Sequence, residues 1–186
     1  MTVTQGRERK NTMNEVIKAI KERRSIRSFT SKEVPKELID EIVEAGTYAA
    51  SGRGYQSAII IAVTDKKLRD AISEENRRIG GWNEGFDPFY GAPVMLIVLA
   101  DRSRSTYLYD GSLVMGELML AAHSLGLGSC WIHRAKEEFE GEKGKALLKS
   151  LGIEGDYEGI GHCALGYYEG DPPAAAPRKE NRVFCV

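Results

Sequence analysis

The chain has 186 residues, with 26 Lys and Arg against 27 Asp and Glu, a formal net charge of −1, 42% hydrophobic and 28% charged residues. These figures fit one globular domain of ordinary size and exclude a disordered chain, a collagen-like repeat and a disulfide-dense miniprotein. No run of about 18 apolar residues occurs, so no membrane span is expected, and the near-neutral total argues against a chain-wide nucleic-acid footprint.

Residues 1–12 read as a flexible extension ahead of a single domain over 13–186, with Met13 as an alternative start. The first twelve residues lack the apolar stretch of a secretory signal. Thr12 and Glu15 fit a capping box, and Met13, Val16, Ile17 and Ile20 follow helical spacing, predicting a helix to about Arg23. Pro35 opens a second helix with an apolar face of Leu38, Ile39, Ile42, Val43 and Ala45, running to about Ala50 and broken by Ser51-Gly52-Arg53-Gly54. The β-branched run from Ala58 to Val63 reads as a strand covered on both faces. A short helix over 66–73 follows behind an Asp65 cap. Residues 76–92 then form a long irregular segment rich in Gly and aromatics, whose Phe86, Phe89 and Tyr90 either roof a substrate slot or pin the loop itself.

A second buried strand is expected over 93–100, and the longest helix over 107–125, closed by Gly126. That helix is apolar nearly all round, which in so short a chain points to a subunit interface. Asp110 reads as starting or solvating it, with no proton-transfer role. A strand over 127–132, a helix over 136–151 with a loose Gly141–Gly144, and a strand over 160–168 complete the pattern, before a Pro/Ala-rich tail ending in strand-like Val183–Val186. Strict βαβ repetition is missing, so the expected class is α+β, a mainly antiparallel or mixed sheet flanked by helices.

Three cysteines, Cys130, Cys163 and Cys185, without CxxC spacing suggest neither a disulfide framework nor a zinc ribbon. Without an export signal, a reducing cytoplasm is the expected compartment. Cys130 and Cys163 read as buried fillers; a metal site with His133 or His162 is disfavoured, because strand neighbours 162 and 163 point to opposite faces. Both chain ends are cationic: residues 1–32 hold nine Lys and Arg against three Glu, and 177–186 hold Arg178, Lys179 and Arg182 against Glu180. Either the ends are simply solvated or they converge on one anion such as a phosphate. Arg23, Arg24, Ser25 and Arg27 in RRSIRSF suit a phosphate monoester, since Arg offers a planar fork and Ser a compact donor; in an extended segment Arg23, Ser25 and Arg27 share one face. No GxGxxG follows a strand, so a Rossmann site for a dinucleotide is not supported.

RRSIRSF, AASGRGYQSAIIIAV, FYGAPVMLIVLAD, DGSLVMGELMLAAHSLGLGSCWIH and IGHCALGYYEGDPPAAAPRKENRV, in this order, resemble the FMN-dependent nitroreductase family over residues 14–186. The resemblance implies an α+β homodimer with FMN at the subunit interface and the helix over 107–125 at its centre. It implies that Arg23, Ser25 and Arg27 hold the phosphate and ribityl chain. Ser51, Gly54 and Gln56 stand beside the isoalloxazine; Gly54 replaces the Asn of many members, leaving a backbone amide or Arg53 to substitute. Cys130, Trp131 and Ile132 line the ring edge, Trp131 being equally readable as a core aromatic. Arg178 and Lys179, or Arg182, close on the phosphate. The activity implied is electron transfer from NADH or NADPH through flavin N5 to a nitroaromatic, quinone or similar acceptor, by a ping-pong mechanism with the chemistry on the flavin and no catalytic side chain. Arg27 or Arg53 is expected to favour the reduced, anionic flavin. Two alternatives stay open: a non-catalytic flavin-binding or sensing module on the same fold, with loop 76–92 blocking the slot, and a small nucleic-acid binder using the basic N-terminus.

Overall fold

Described in a computed structural model are residues 13–186; the capping residue Thr12 and the extension before it lie outside them. The first helix, α1 (Glu15–Glu22), starts at Asn14, whose side chain accepts from the amides of Val16 and Ile17. An Asn at this position satisfies donors that have no partner inside the helix. α2 (Lys36–Thr47) follows Pro35 and ends three residues before Ala50. Residues 52–54 make one turn of 3-10 helix.

Strands β1 (Ala58–Val63), β2 (Val94–Asp101), β3 (Gly128–Ile132) and β4 (Tyr157–Gly166) form one sheet in the order β1-β2-β4-β3, with every pair antiparallel. β2 is the spine, buried along its whole length but for Asp101. Its side chains alternate between two cores. Val94, Leu96 and Val98 pack with α2 and with α4 (Tyr107–Ser124); Met95, Ile97 and Leu99 pack with α3 (Lys66–Gly80), α5 (Ala135–Glu140) and α6 (Glu142–Ser150). Burying each of these side chains contributes about 1.5–3 kcal/mol. Gly161 of β4 has a packing reason: a Cβ there would overlap the indole nitrogen of Trp131.

Several expectations need correction. β1 is an edge strand in which only Val63 is buried; Ile60 packs against one core and Ile59 and Ile61 against the other, so the β-branched run is covered on both faces but incompletely. α3 runs to Gly80 rather than ending at Ser73, which shortens the irregular segment to 81–93. Polar Glu74, Glu75, Arg77 and Arg78 hid its second half, but Arg77 pairs with Glu74 and Arg78 with Glu75 one turn apart, a spacing that supports a helix. The helix over 136–151 is two helices, broken at the extended Gly141. β4 begins three residues early, at Tyr157. Val183–Val186 form no strand and are exposed.

Candidate functional site

The arginine-rich segment leaves α1 at Arg23 in an extended conformation and runs beside β3, as a short parallel edge. Ser25 pairs with Ser129, and the Ile26 amide donates to the Ser129 carbonyl (2.9 Å). Ile26 is buried and anchors the segment; Arg27 is exposed. Burial pushes the Cys130 thiol up from its usual range, while Arg27, Ser25 and Arg23 pull the other way. Cys163 is pushed up to about 12 by burial. Both thiols are inert fillers in this state.

Three polar atoms here are buried without a partner: Arg23 Nη1, Arg24 Nε and Ser129 Oγ. Arg24 spends its Nη1 on the carbonyls of Lys21 (2.6 Å) and Arg23 (2.8 Å), closing the end of α1. Buried donors without acceptors cost free energy that a bound anion recovers. Guanidinium forks beside hydroxyls are the donor set for a compact dianion.

A second group gathers between α2 and β1. The Gln56 amide donates to Ser51 Oγ (3.0 Å), curling the loop on itself. Arg53 (φ 54°), Gly54 (φ 69°) and Gln56 (φ 48°) all lie in the left-handed region. Asp110 ties this loop to α4: the Gly52 amide donates to its Oδ1 (3.0 Å), and the hydroxyls of Ser57 (2.7 Å) and Thr106 (3.1 Å) donate to its Oδ2. Asp110 is therefore buried rather than solvated. Burial alone would raise its pKa, yet these three donors hold the carboxyl below the usual range. Ser51, Gln56, Ser57 and Asp110 border a cavity of about 350 Å³ whose other walls are the apolar residues Val43, Ala58, Ile60 and Val114 among others.

The two groups do not meet within one chain. The arginine segment lies beside β3 at one sheet edge, and the Ser51–Gln56 loop precedes β1 at the other. Three strand spacings separate those edges, about 14 Å. By register Ala58 is level with Ala100, while Ser129 is level with Val94 through Leu165, a further ~20 Å along the strands. The tail residues Arg178 and Lys179 are exposed, and among the described residues the Arg178 guanidinium donates only to the carbonyl two residues back, Ala176 O (2.7 and 3.2 Å). No hydrogen bond among the described residues brings them to Arg23 or Arg27.

Trp131 and Ile132 continue β3 from Cys130. Trp131 packs over Gly161, its Nε1 buried without an acceptor, and it stacks at a tilt on His133 (centroids 6.0 Å). It also borders an open cavity of about 540 Å³ with His133, Arg134 and Leu108, so core packing and a contact role are compatible. The aromatic loop 81–93 is tied down. Asp87 accepts from Arg69, from Ser73 Oγ (2.7 Å) and from the amides of Phe89 (3.0 Å) and Gly91 (2.7 Å). Phe89 is fully buried against His162 and pins the loop; Phe86 stays exposed.

Two features escaped sequence reading. One is the Asp110 tie, for which a Thr four residues earlier was the only local signal. The other is a buried polar chain in which Asn76 Nδ2 donates to Glu138 Oε1 (2.6 Å) and to the His133 carbonyl (2.9 Å), and Glu138 Oε2 meets His162 Nε2 (2.8 Å). Its two bonded side-chain pairs are 62 and 24 residues apart, beyond any local pattern. Among the described residues no three His, Cys, Asp or Glu side chains cluster as metal ligands do, and no helix is long and apolar enough to cross a membrane.

Comparison with known proteins bears on the same residues. A nitroreductase with bound FMN from Bacteroides fragilis superposes with a TM-score of 0.85 at 30% identity, covering 94% of this chain and 100% of that one. A nitroreductase with bound FMN from Desulfitobacterium hafniense gives 0.84 at 28% identity, covering 94% and 100%. An FMN reductase [NAD(P)H] of Bacillus subtilis is 33% identical over 139 residues, 63% of this chain. The chain spans about half of that curated relative's length (53%), and 66% of a second relative, from Methanothermobacter thermautotrophicus. Residues 20–167 match the family model described as "Nitroreductase family". The matched stretch runs from α1 through β4 and includes both groups of site residues, and the chain belongs to the nitroreductase family.

Proposed function

We propose that two copies of this chain bind FMN between them and pass electrons from NADH or NADPH to a nitroaromatic, quinone or similar acceptor. The observation that carries the reading is the set of buried, partnerless donors Arg23 Nη1, Arg24 Nε and Ser129 Oγ beside Arg27 and Ser25, which fits the phosphate of FMN. When bound, FMN supplies hydride acceptance and release at N5. The chain's residues bind and orient it. Arg23, Ser25 and Arg27 offset the phosphate charge, and the backbone of Cys130, Trp131 and Ile132 walls one edge of the slot. Ser51, Arg53, Gly54 and Gln56 sit too far from that cradle to serve the same bound molecule, so they serve the one held by a second copy. A two-fold dimer solves this twice over.

Exposed apolar surface supports the dimer. α1 buries none of its residues, and Val16, Ile17 and Ile20 form one open stripe. α4 turns Val114, Met115, Leu118 and Ala122 inward but leaves Leu108, Tyr109 and Leu113 exposed. Arg178 and Lys179 are exposed and available to close on the phosphate. The test is an absorption spectrum of the purified protein, before and after NADH or NADPH without oxygen. A yellow protein that bleaches on reduction is expected; colourless protein that takes up no FMN overturns the reading.

A further inference from the structure

The Asp110 carboxyl is 3% exposed, with no Lys or Arg against it among the described residues. All its partners are neutral donors, and two of them, the Gly52 amide and the Ser57 hydroxyl, bracket the Ser51–Ser57 loop at its two ends. Between those anchor points three residues hold left-handed backbone, two of them non-glycine. Such conformations persist only when the surroundings over-determine them. The third donor, Thr106, stands just before α4, so one carboxylate joins the loop to the helix whose outer face is exposed. Its place in the first turns of α4 also suits a negative charge.

We propose that Asp110 is a positioning residue: it holds the Ser51–Ser57 loop in the shape that presents Ser51 and Gln56 to the flavin ring. This rests on the FMN reading above. The phosphate cradle is on the far sheet edge, so Asp110 acts on recognition of the ring and leaves recognition of the phosphate alone. Riboflavin, which lacks the phosphate, separates the two contributions.

The experiment titrates the full chain, stripped of flavin, with FMN and with riboflavin, and records the visible circular dichroism of the saturated complexes. Asp110→Ala is expected to weaken both flavins by the same factor, about tenfold or more, and to change the flavin dichroism at saturation. Asp110→Asn, which keeps an oxygen for the Gly52 amide, is expected to recover part of the affinity. Arg27→Leu is expected to weaken FMN by a larger factor than riboflavin. Leu148→Ala, a cavity in α6 on the other face of the sheet, is expected to lower the melting temperature without moving either affinity or the dichroism. If Asp110→Ala does not fold, Ser57→Ala removes a single donor and is expected to weaken both flavins equally but less. Unchanged affinities and dichroism in the Asp110 or Ser57 variant, with wild-type protein binding flavin, overturn this proposal alone. So does a Leu148→Ala variant with the same losses. Wild-type protein that binds neither flavin overturns the FMN reading and this proposal with it.

Discussion

Gly54, which the resemblance sets where many family members carry Asn, is a position where that departure leaves the fold intact. Its φ of 69° is one that Asn adopts more readily than other side-chain-bearing residues, and a Cβ there meets nothing within 4 Å. Gly54→Asn is expected to change stability by less than about 1 kcal/mol and to tighten FMN binding by restoring a side-chain amide; thermal melts and flavin titration check both. Gly54→Val, β-branched at the same φ, is expected to cost about 1–2 kcal/mol. Gly161 behaves oppositely. It is needed for space, because any side chain collides with Trp131, and Gly161→Ala is expected to cost about 1–3 kcal/mol in urea denaturation.

Between β2 and the end of α3, loop 81–93 takes its shape from Asp87. The carboxylate gathers a guanidinium, a hydroxyl and two backbone amides, and these hold it below the usual range against the effect of its burial. Arg69, itself buried, also donates to the Ala92 carbonyl (3.0 Å), joining α3 to the start of β2. Asp87→Ala would leave that guanidinium without its main partner. A loss of about 3–5 kcal/mol is expected in chemical denaturation, with amide exchange rising first across 81–93. A loop pinned this firmly does not serve as a swinging lid. On the other side of the sheet, α4 has a different imbalance: its inward residues complete a core, and Leu108, Tyr109 and Leu113 on its outer side are exposed among the described residues.

Whole-molecule behaviour follows from these unfinished faces. On the dimer reading, Ile17→Glu with Ile20→Glu is expected to give a monomer in size-exclusion chromatography, because both side chains are exposed on the single chain. The same double variant is expected to lose FMN while keeping its secondary structure. Stability should also depend on pH in a fixed direction. Asp87, Asp110 and Glu75 all have lowered pKa values in the folded chain, Glu75 from 4.5 to about 2 through Arg78 and Lys143. A carboxylate with a depressed folded pKa contributes stability above its unfolded pKa and loses it as pH falls through the folded one. The melting temperature is therefore expected to fall between pH 4.5 and about 2, and Asp87→Asn to flatten part of that slope.

Local order gave the sequence its authority. The helical spacing of Val16, Ile17 and Ile20, the Asp65 cap and the β-branched strands each rest on neighbours within a turn or two, and each element exists in the structure. Five short motifs in the right order were enough to identify the family, because each motif sits on consecutive backbone. Tertiary structure alone decided which strand lies at an edge, where α3 stops, and that Asp110 is buried rather than solvated. It also decided that the arginine segment and the Ser51–Gln56 loop occupy opposite edges of the sheet. Strand order and burial are fixed by contacts between residues tens of positions apart, and no local periodicity encodes such pairs.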